Sequence, residues 1–493
     1  MKYYSTRNEK TRVTASQAIA GGLAPDGGLY VPECIPAVTL EEIKALCKLD
    51  YRQRAKTILS LYLEEFSNAE LEQFVEAAYA DNYDTAEIAP VHFLDEKTGV
   101  LELWHGPTCA FKDMALQMLP HLLTASLKKT GESRKVCILV ATSGDTGKAA
   151  LEGFKDVDGT CIQVFFPVDG VSDVQKLQMT TQAGNNVLVS AVYGNFDDAQ
   201  TGVKTIFGDR DFAKQLSDRG FFLSSANSIN WGRLLPQIVY YFSAYCEFVN
   251  AGHIALGDTI NVCVPTGNFG NILAGWYAKK MGLPVQRFIC ASNSNNVLTE
   301  FIETGVYDKN RAFYTTTSPS MDILVSSNLE RLLYALSGDD SEVAAYMEQL
   351  STTGVYTVSE QVRAAVANDF AAGCCDDAAT KAQIAKVYQE QHYLMDTHTA
   401  VGSKVLEDYR AKTGDLTPAV LASTASPFKF CDSVLEALGQ KEDAPGTALL
   451  EKLSAVTGLP VPAPLSGLGQ REVRFRDCCA KDEMKASVDA FLS

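Results

Sequence analysis

The sequence predicts an α/β protein built from doubly wound parallel sheets. Three apolar, strand-like segments, at residues 136–141, 259–264 and 419–422, each end in small polar residues. Such runs are typical of strands covered on both faces, and the helical segments between them indicate βαβ units. In a parallel sheet the carboxyl ends of the strands lie at one edge, where ligands bind. The polar residues at these ends are therefore the first candidates for a functional site.

Length and composition exclude several classes of protein. At 493 residues, two or three structural units are expected, and a net charge of −17 argues against a nucleic-acid partner. The polar N-terminal segment and the lack of an apolar run near about 20 residues predict no signal peptide and no membrane span. The 13 cysteines are odd in number and have no zinc-ligand spacing. We therefore expect a cytoplasmic protein with buried thiols and no metal.

Residues 1 to about 90 are expected to form a helix-rich N-terminal domain. A Pro-Asp-Gly-Gly turn precedes a short strand at 29–32, and Ser67 is placed as a helix N-cap. Apolar residues recur at helical spacing in three segments, 40–49, 52–66 and 68–80. This domain shows no catalytic constellation, so a packing or lid role is expected.

The catalytic core is expected over residues 91–440, followed by a C-terminal helical tail over 441–493. Within the core we expect a smaller lobe at about 110–250 and a helical insertion at about 326–391. Further strands are predicted at 161–167, 187–192 and 285–292, and a long amphipathic or buried helix is predicted over 227–249.

Lys112 is the first candidate for chemistry. A helix is predicted from about Ala110, and on it Lys112 shares a face with Ala115, Leu116 and Leu119. It also lies in the first turn, where the helix dipole disfavours a cation. Both effects would lower the pKa of the amine, as a lysine that forms a Schiff base requires. On this helix alone, a lysine that reaches water along its apolar stem is the alternative.

Two glycine-containing loops stand between predicted strands and helices. Residues 267–271 (GNFGN) can turn backbone N–H groups inward at a helix N-terminus, which suits a phosphate. Residues 143–147 (SGDTG) offer hydroxyl and N–H groups suited to a carboxylate. An ordinary turn and an N-cap are the respective alternatives. Neither loop has the Walker A or dinucleotide-binding pattern, and Thr424 adds a hydroxyl at the third strand end.

A lysine on a buried face, a phosphate loop, a carboxylate loop and a hydroxyl at one sheet edge together suit pyridoxal phosphate and an amino-acid substrate. Residues 105–113 (HGPTCAFKD) also resemble the lysine motif of the threonine synthase family, within the fold-type-II pyridoxal-phosphate enzymes. Six further blocks of this family are matched in order along nearly the whole chain: PDGGLY, SGDTG, NW, GNFGN, SPSMD and HTAVG.

The resemblance implies two doubly wound lobes with pyridoxal 5′-phosphate between them. It implies that Lys112 is the cofactor-linked lysine and the general base at the substrate Cα and Cβ atoms. Asp145 would face the cofactor's 3′-oxygen, where many relatives carry Asn and the longer microbial type carries Asp. The residues implied for the cofactor phosphate are Gly267, Asn268, Phe269, Gly270 and Asn271.

The resemblance also implies that a hydroxyl at the third strand end bonds the pyridine nitrogen. Thr424 is the expected residue, with Ser423 as the alternative. The choice stays open because Ser426 and Phe428 stand where His and Ala are expected in this family.

The implied activity is that of a threonine synthase, a lyase that converts O-phospho-L-homoserine and water to L-threonine and phosphate. Ser143 and Thr146 are the candidates for the substrate carboxylate. The candidates for the substrate phosphate are Ser320, Asn328 and Arg331, with Lys148 and Arg233 in addition. Arg331 is favoured by its planar fork, and an arginine paired on the helix surface is the alternative.

Other functions stay open at this stage. Within the same chemistry, a phospho-lyase that releases 2-oxobutyrate and phosphate is the alternative, and a serine/threonine dehydratase is more distant. From a different class, the chain could bind the cofactor without turnover and act through partners. By analogy, a monomer or homodimer with neither a nucleic acid nor a membrane as partner is expected.

Overall fold

The computed structural model describes residues 1–168 and 171–493. The N-terminal part contains a three-stranded antiparallel sheet, in the order β2-β1-β3, and four helices. Its elements are β1 Tyr3–Ser5, β2 Asn8–Val13, α1 Ala15–Gly21, β3 Tyr30–Pro32, α2 Leu40–Leu46, α3 Tyr51–Tyr62 and α4 Asn68–Tyr79. Ser67 caps α4 as predicted, because its hydroxyl and the Glu70 carboxylate close a capping box. The hairpin β1–β2 was not predicted, since its second strand is almost wholly polar.

From residue 91 onward, strands are interspersed with helices, and βαβ units were predicted for residues 90 to 250. The first half of this region contains β4 Val91–Asp95, β5 Thr98–Glu102, α5 Asp113–Leu116, α6 Leu119–Thr130, β6 Lys135–Ala141, α7 Asp145–Phe154, β7 Thr160–Pro167, α8 Asp173–Thr180, β8 Val187–Val192, α9 Phe196–Gly208, α10 Arg210–Asp218, β9 Phe221–Ser224 and α11 Trp231–Asn250. The second half contains β10 Ile260–Pro265, α12 Gly270–Met281, β11 Val285–Ser292, α13 Val297–Thr304, β12 Val306–Asp308, α14 Leu329–Ser337, α15 Asp340–Thr352, β13 Val355–Thr357, α16 Glu360–Asp369, β14 Phe370–Cys374, α17 Asp377–Gln391, α18 Thr397–Thr413, β15 Ala419–Ser423 and α19 Cys431–Ala437. The tail adds α20 Gly446–Thr457, β16 Cys478–Cys479 and α21 Met484–Phe491.

Two parallel sheets form the core and confirm the predicted fold class. The larger sheet has the strand order β14-β11-β10-β15-β5-β4, and all pairs are parallel except the hairpin β4–β5. The smaller sheet has the order β16-β8-β7-β6-β9 and is parallel throughout. Because β10, β15 and β5 are neighbours, their carboxyl ends lie side by side.

The N-terminal part packs directly on the core through aromatic side chains. The ring of Trp231, at the start of α11, lies 5.6 Å from the rings of Tyr3 and Tyr62 and 5.4 Å from that of Tyr277. All four side chains are buried, and aromatic pairs at this spacing stabilise beyond the area they bury. Direct aromatic packing therefore joins the N-terminal part to the core, and its role as a packing or lid domain stays a prediction.

The segment before Lys112 departs from the prediction. The helix predicted from about Ala110 begins at Asp113, and Lys112 occupies the N-cap position of α5. Ala110 instead forms an isolated antiparallel bridge with Ala425. The Phe111 N–H donates to the Thr424 carbonyl oxygen at 2.8 Å. Pairing with this segment, which is distant in sequence, therefore replaces the first helical turn.

Several short strands were also not predicted, among them β14 and β16. The region expected as a helical insertion supplies β14, which extends the larger sheet beside β11. Its sequence, FAAGC, is poor in the β-branched residues that mark a strand. The C-terminal tail supplies β16, a two-residue strand at the edge of the smaller sheet. Within the described residues, no helix combines the length and apolar character of a membrane span.

Candidate active site

The fold brings the predicted lysine, carboxylate and serine together. Loop 266–269 follows β10, Thr424 follows β15, and the chain from β5 leads to Lys112. The Lys112 Nζ donates to the Ser320 hydroxyl at 3.3 Å and lies 3.7 Å from Asp145 Oδ2. Asp145 is at the start of α7, after β6 of the smaller sheet. The site therefore lies between the carboxyl edges of the two sheets.

Lys112 has the lowered pKa that the sequence predicted. The residue is 9% exposed, and burial is the main cause of a pKa lowered to about 8. Asp145 raises this pKa, whereas the nearby charges of Arg233 and Lys429 lower it further. Because α5 has only four residues, burial rather than the helix dipole accounts for the shift. A neutral amine is therefore accessible near neutral pH.

Asp145 is held as a buried carboxylate. Its Oδ1 lies 2.6 Å from the Lys429 Nζ and accepts a hydrogen bond from the Gln175 amide at 3.0 Å. Its Oδ2 accepts from the Ser320 hydroxyl at 3.4 Å. Burial by itself raises the pKa of Asp145, but Lys429 and Lys112 outweigh burial and hold the pKa well below its usual range. The group is therefore ionised at neutral pH.

The loop 142–147 leaves two hydroxyls available for a ligand. The Thr142 hydroxyl accepts the Gly144 and Gly147 N–H groups at 2.9 Å each and closes the turn. Gly144 has a φ of +133°, and a Cβ there would lie 2.5 Å from the Gln175 side chain. Ser143 and Thr146 are partly exposed, and neither hydroxyl has a partner in the described part of the chain. Their contact with a substrate carboxylate stays a prediction.

The loop 267–271 fits a phosphate group. None of its five backbone N–H groups donates to an acceptor among the described residues, and α12 begins within the loop. The Asn271 Oδ1 accepts hydrogen bonds from the Tyr240 and Tyr241 hydroxyls at 2.7 and 2.5 Å. Its buried Nδ2 has no partner within the described chain. Unpaired N–H donors at a helix N-terminus are what an anionic group requires.

Asn328 and Arg331 support this loop through hydrogen bonds. The Asn328 N–H and Nδ2 both donate to the Asn268 carbonyl oxygen at 3.1 Å. The fully buried Arg331 guanidinium donates to Asn328 Oδ1 at 2.5 Å, to the Tyr30 carbonyl at 3.0 Å and to the Ile229 carbonyl at 2.6 Å. This geometry favours a supporting role over the predicted contact with a substrate phosphate. The complete burial of Arg331 also differs from the alternative of an arginine paired on the helix surface.

Two further predicted cations have different surroundings. The Lys148 Nζ lies 2.8 Å from Glu152 Oε2 and also donates to Gln182, so its charge is already paired. The Arg233 side chain is buried, and its Nη1 donates to the Ala226 carbonyl at 2.7 Å. Burial lowers the pKa of Arg233 to about 10, and within the described chain it has no carboxylate partner. Arg233 is therefore the cation that best suits an incoming anion.

The structure favours Thr424 over Ser423 for the cofactor contact. The Ser423 hydroxyl accepts hydrogen bonds from the Trp104 indole N–H and from the Thr399 hydroxyl, both at 3.0 Å. The Thr424 hydroxyl has no partner among the residues that the structure describes, although the residue is only 6% exposed. A hydroxyl without a partner, on a residue that is almost wholly buried, is available for a ligand.

Sequence reasoning missed Lys429, which contacts Asp145. It lies in a 3₁₀ turn at 427–430, directly after the polar end of β15. A lysine between Phe428 and Phe430 in an otherwise apolar turn was the available signal. Gln175 was missed as well, because nothing in the local sequence of α8 relates it to Asp145.

A cavity of about 410 Å³ lies elsewhere, between α8, β7, β8 and the C-terminal tail. Phe166, Val189 and Phe475 are among its lining residues, and no candidate site residue is. We therefore place the site by its chemistry and not by cavity volume.

Three family models match the chain in order. They are described as Threonine synthase N terminus, over residues 2–79; Pyridoxal-phosphate dependent enzyme, over 90–370; and Threonine synthase, C-terminal, over 399–488. The second covers Lys112, Asp145 and the loop 267–271, and it spans more than half of the chain.

The chain belongs to the threonine synthase family.

Individual members of the threonine synthase family agree with this. A threonine synthase of Pseudomonas aeruginosa is 40% identical over 100% of this chain and 98% of its own length. Threonine synthase-like 1 of Homo sapiens is 41% identical over 95% of this chain, which spans 64% of that protein's length. The crystal structure of a PLP-bound threonine synthase from Brucella melitensis matches with a TM-score of 0.88 and 39% identity, covering 100% of this chain and 99% of that one.

Proposed function

We propose that this member of the threonine synthase family is itself a threonine synthase. It would convert O-phospho-L-homoserine and water to L-threonine and phosphate, with pyridoxal 5′-phosphate as cofactor. The observation that carries the proposal is the environment of Lys112, a buried amine with a pKa lowered to about 8 beside an ionised Asp145. A group that can hold or release a proton near neutral pH is what proton transfer at carbon requires.

The site residues have distinct roles toward the cofactor. Lys112 would bind it through the amine, and the unpaired N–H groups of the loop 267–271 would hold its phosphate. Thr424 would bond the pyridine nitrogen, and Asp145 would face the 3′-oxygen. When bound, the cofactor supplies an electron sink for negative charge that develops on the substrate.

Lys112 and further side chains act on the substrate. Lys112 takes the proton from Cα and moves protons at Cβ, since its lowered pKa makes both protonation states accessible. Ser143 and Thr146 would hold the carboxylate, because their hydroxyls are otherwise unused in the described structure. For the substrate phosphate we favour Arg233, a buried cation without a carboxylate partner among the described residues, with help from the Ser320 hydroxyl. Asn328 and Arg331 would support the loop.

The test removes the amine of Lys112. Lys112→Ala is expected to lose the visible absorption of the bound cofactor and all turnover of O-phospho-L-homoserine. Lys204→Ala, which removes an exposed lysine far along α9, serves as control and should keep both. Retained turnover in Lys112→Ala would overturn the proposal.

We further propose that the protein is cytoplasmic and acts as a monomer or homodimer. The net charge of −17 supports the expectation that it has no nucleic-acid partner. Light scattering of the purified protein would distinguish these assembly states, and a larger mass would contradict the proposal.

A further inference from the structure

A second lysine, Lys429, is buried at the active site, and the roles proposed above leave it unused. Its side chain is fully buried, and its Nζ lies 2.6 Å from Asp145 Oδ1. The same Nζ donates to the Thr108 carbonyl oxygen at 3.0 Å, in the segment that leads to Lys112. One ammonium group thus connects the turn after β15, the start of α7 and the chain before α5.

The contacts of Asp145 are divided between its two oxygens. Oδ1 receives Lys429 and the Gln175 amide, whereas Oδ2 faces Lys112 at 3.7 Å and the Ser320 hydroxyl at 3.4 Å. A single buried carboxylate therefore lies between two ammonium groups. A buried carboxylate that loses its only counter-charge is strongly destabilised. If Lys112 were the only cation here, its deprotonation would carry that cost.

The other charged groups nearby do not replace Lys429. Arg233 on α11 lowers the pKa of Lys112, but it makes no ion pair with Asp145 within the described structure. Asp113 on α5 faces Lys429 as well, but its carboxylate is already bonded by the Thr108 N–H and hydroxyl at 2.8 and 2.6 Å.

We propose that Lys429 is a positioning residue that supplies the permanent counter-charge of Asp145, so that Lys112 can release its proton while the carboxylate stays ionised. This inference rests on the proposed role of Lys112 as the lysine that binds the cofactor. Lys429 would influence the reaction only through its contact with Asp145.

The test measures how fast the chain captures its cofactor as pH changes, which requires no turnover. Full-length protein freed of cofactor with hydroxylamine is mixed with pyridoxal 5′-phosphate, and visible absorbance is followed from about pH 6 to 10. The neutral Lys112 amine condenses with the cofactor's aldehyde and water leaves, so the rate reports the fraction of neutral amine. The wild-type midpoint is expected near pH 8.

Two substitutions of Lys429 separate charge from packing. Lys429→Gln keeps hydrogen-bond donors for Asp145 and Thr108 but removes the charge, and Lys429→Arg keeps the charge. Lys429→Gln is expected to raise the midpoint by about one pH unit and to slow capture about tenfold at pH 7, because Lys112 becomes the only counter-ion. Lys429→Arg should keep a midpoint near that of the wild type. An unchanged midpoint in folded Lys429→Gln protein would overturn the inference.

Asp145→Asn gives a second test that does not depend on the Lys429 variants folding. With the carboxylate gone, Lys112 keeps only cationic neighbours, so its midpoint should fall by about one pH unit. A midpoint that stays or rises would overturn the inference. If the wild-type chain captured no cofactor at all, the proposed function would fail first and this inference with it.

Discussion

Adding one methyl group to the phosphate loop tests the cofactor site most sharply. A Cβ at Gly267 would lie 2.7 Å from the Ser320 carbonyl oxygen and 3.3 Å from the Met321 Cα. Both are backbone atoms, so Gly267→Ala must displace the loop or the chain at 320–321. Forcing an extra methyl group into a packed site costs about 1–3 kcal/mol. Cofactor binding must offset this strain to realign the N–H groups of the loop. The affinity for the cofactor is therefore expected to fall roughly 5- to 150-fold.

Gly270→Ala provides a matched control in the same loop. A Cβ there would have the Asn328 amide as its nearest neighbour, at 3.4 Å, which is ordinary contact. Its affinity should stay within about twofold of the wild type, since no strain of the kind expected at Gly267 arises. The assay titrates each cofactor-free variant with pyridoxal 5′-phosphate and follows absorbance, with circular dichroism as a check on folding. Equal affinities, or a larger loss in Gly270→Ala, would refute the reasoning.

Three further predictions concern stability and the cofactor contact. Burial lowers the pKa of His105, but two carboxylate partners raise it from 6.5 to about 9. Its stabilisation, about 3 kcal/mol, is therefore present below pH 6.5 and lost as pH rises through about 9; urea unfolding of His105→Gln should lack this pH dependence. Arg331→Met should lower the unfolding free energy by about 3 kcal/mol because three buried acceptors lose their donor, and an unchanged urea midpoint would contradict this. Thr424→Val should weaken cofactor binding about tenfold and Ser423→Ala less, whereas the reverse order in the same titration would assign the contact to Ser423.

Local sequence patterns predicted the main strands and the segments that follow them. Continuous apolar runs marked β6 and β15, and largely apolar segments marked β10 and β11, because a strand covered on both faces is mostly apolar. The position of Lys112 among apolar residues anticipated its burial, although the helix begins three residues later than expected. Such features depend on near neighbours in the chain, which a sequence shows directly.

The remaining features depend on partners far away in the chain. Lys429 pairs with Asp145, and Arg331 is bonded to Tyr30 in the N-terminal part. An isolated sequence presents both cations as ordinary polar residues, because their burial is created only by tertiary packing. The strand β16 has two residues and forms only because the edge of β8 offers hydrogen-bond partners. Short edge strands of this kind carry too few residues for a periodic signal.

The central claim is that the chain eliminates phosphate from O-phospho-L-homoserine and then adds water at Cβ. The most direct measurement is to incubate the cofactor-loaded protein with this substrate and identify the products by mass spectrometry. L-threonine with an equimolar amount of phosphate is the predicted result. Phosphate accompanied by 2-oxobutyrate would keep the fold and the role of Lys112 but contradict the hydration step, and the absence of phosphate would contradict the proposed substrate itself.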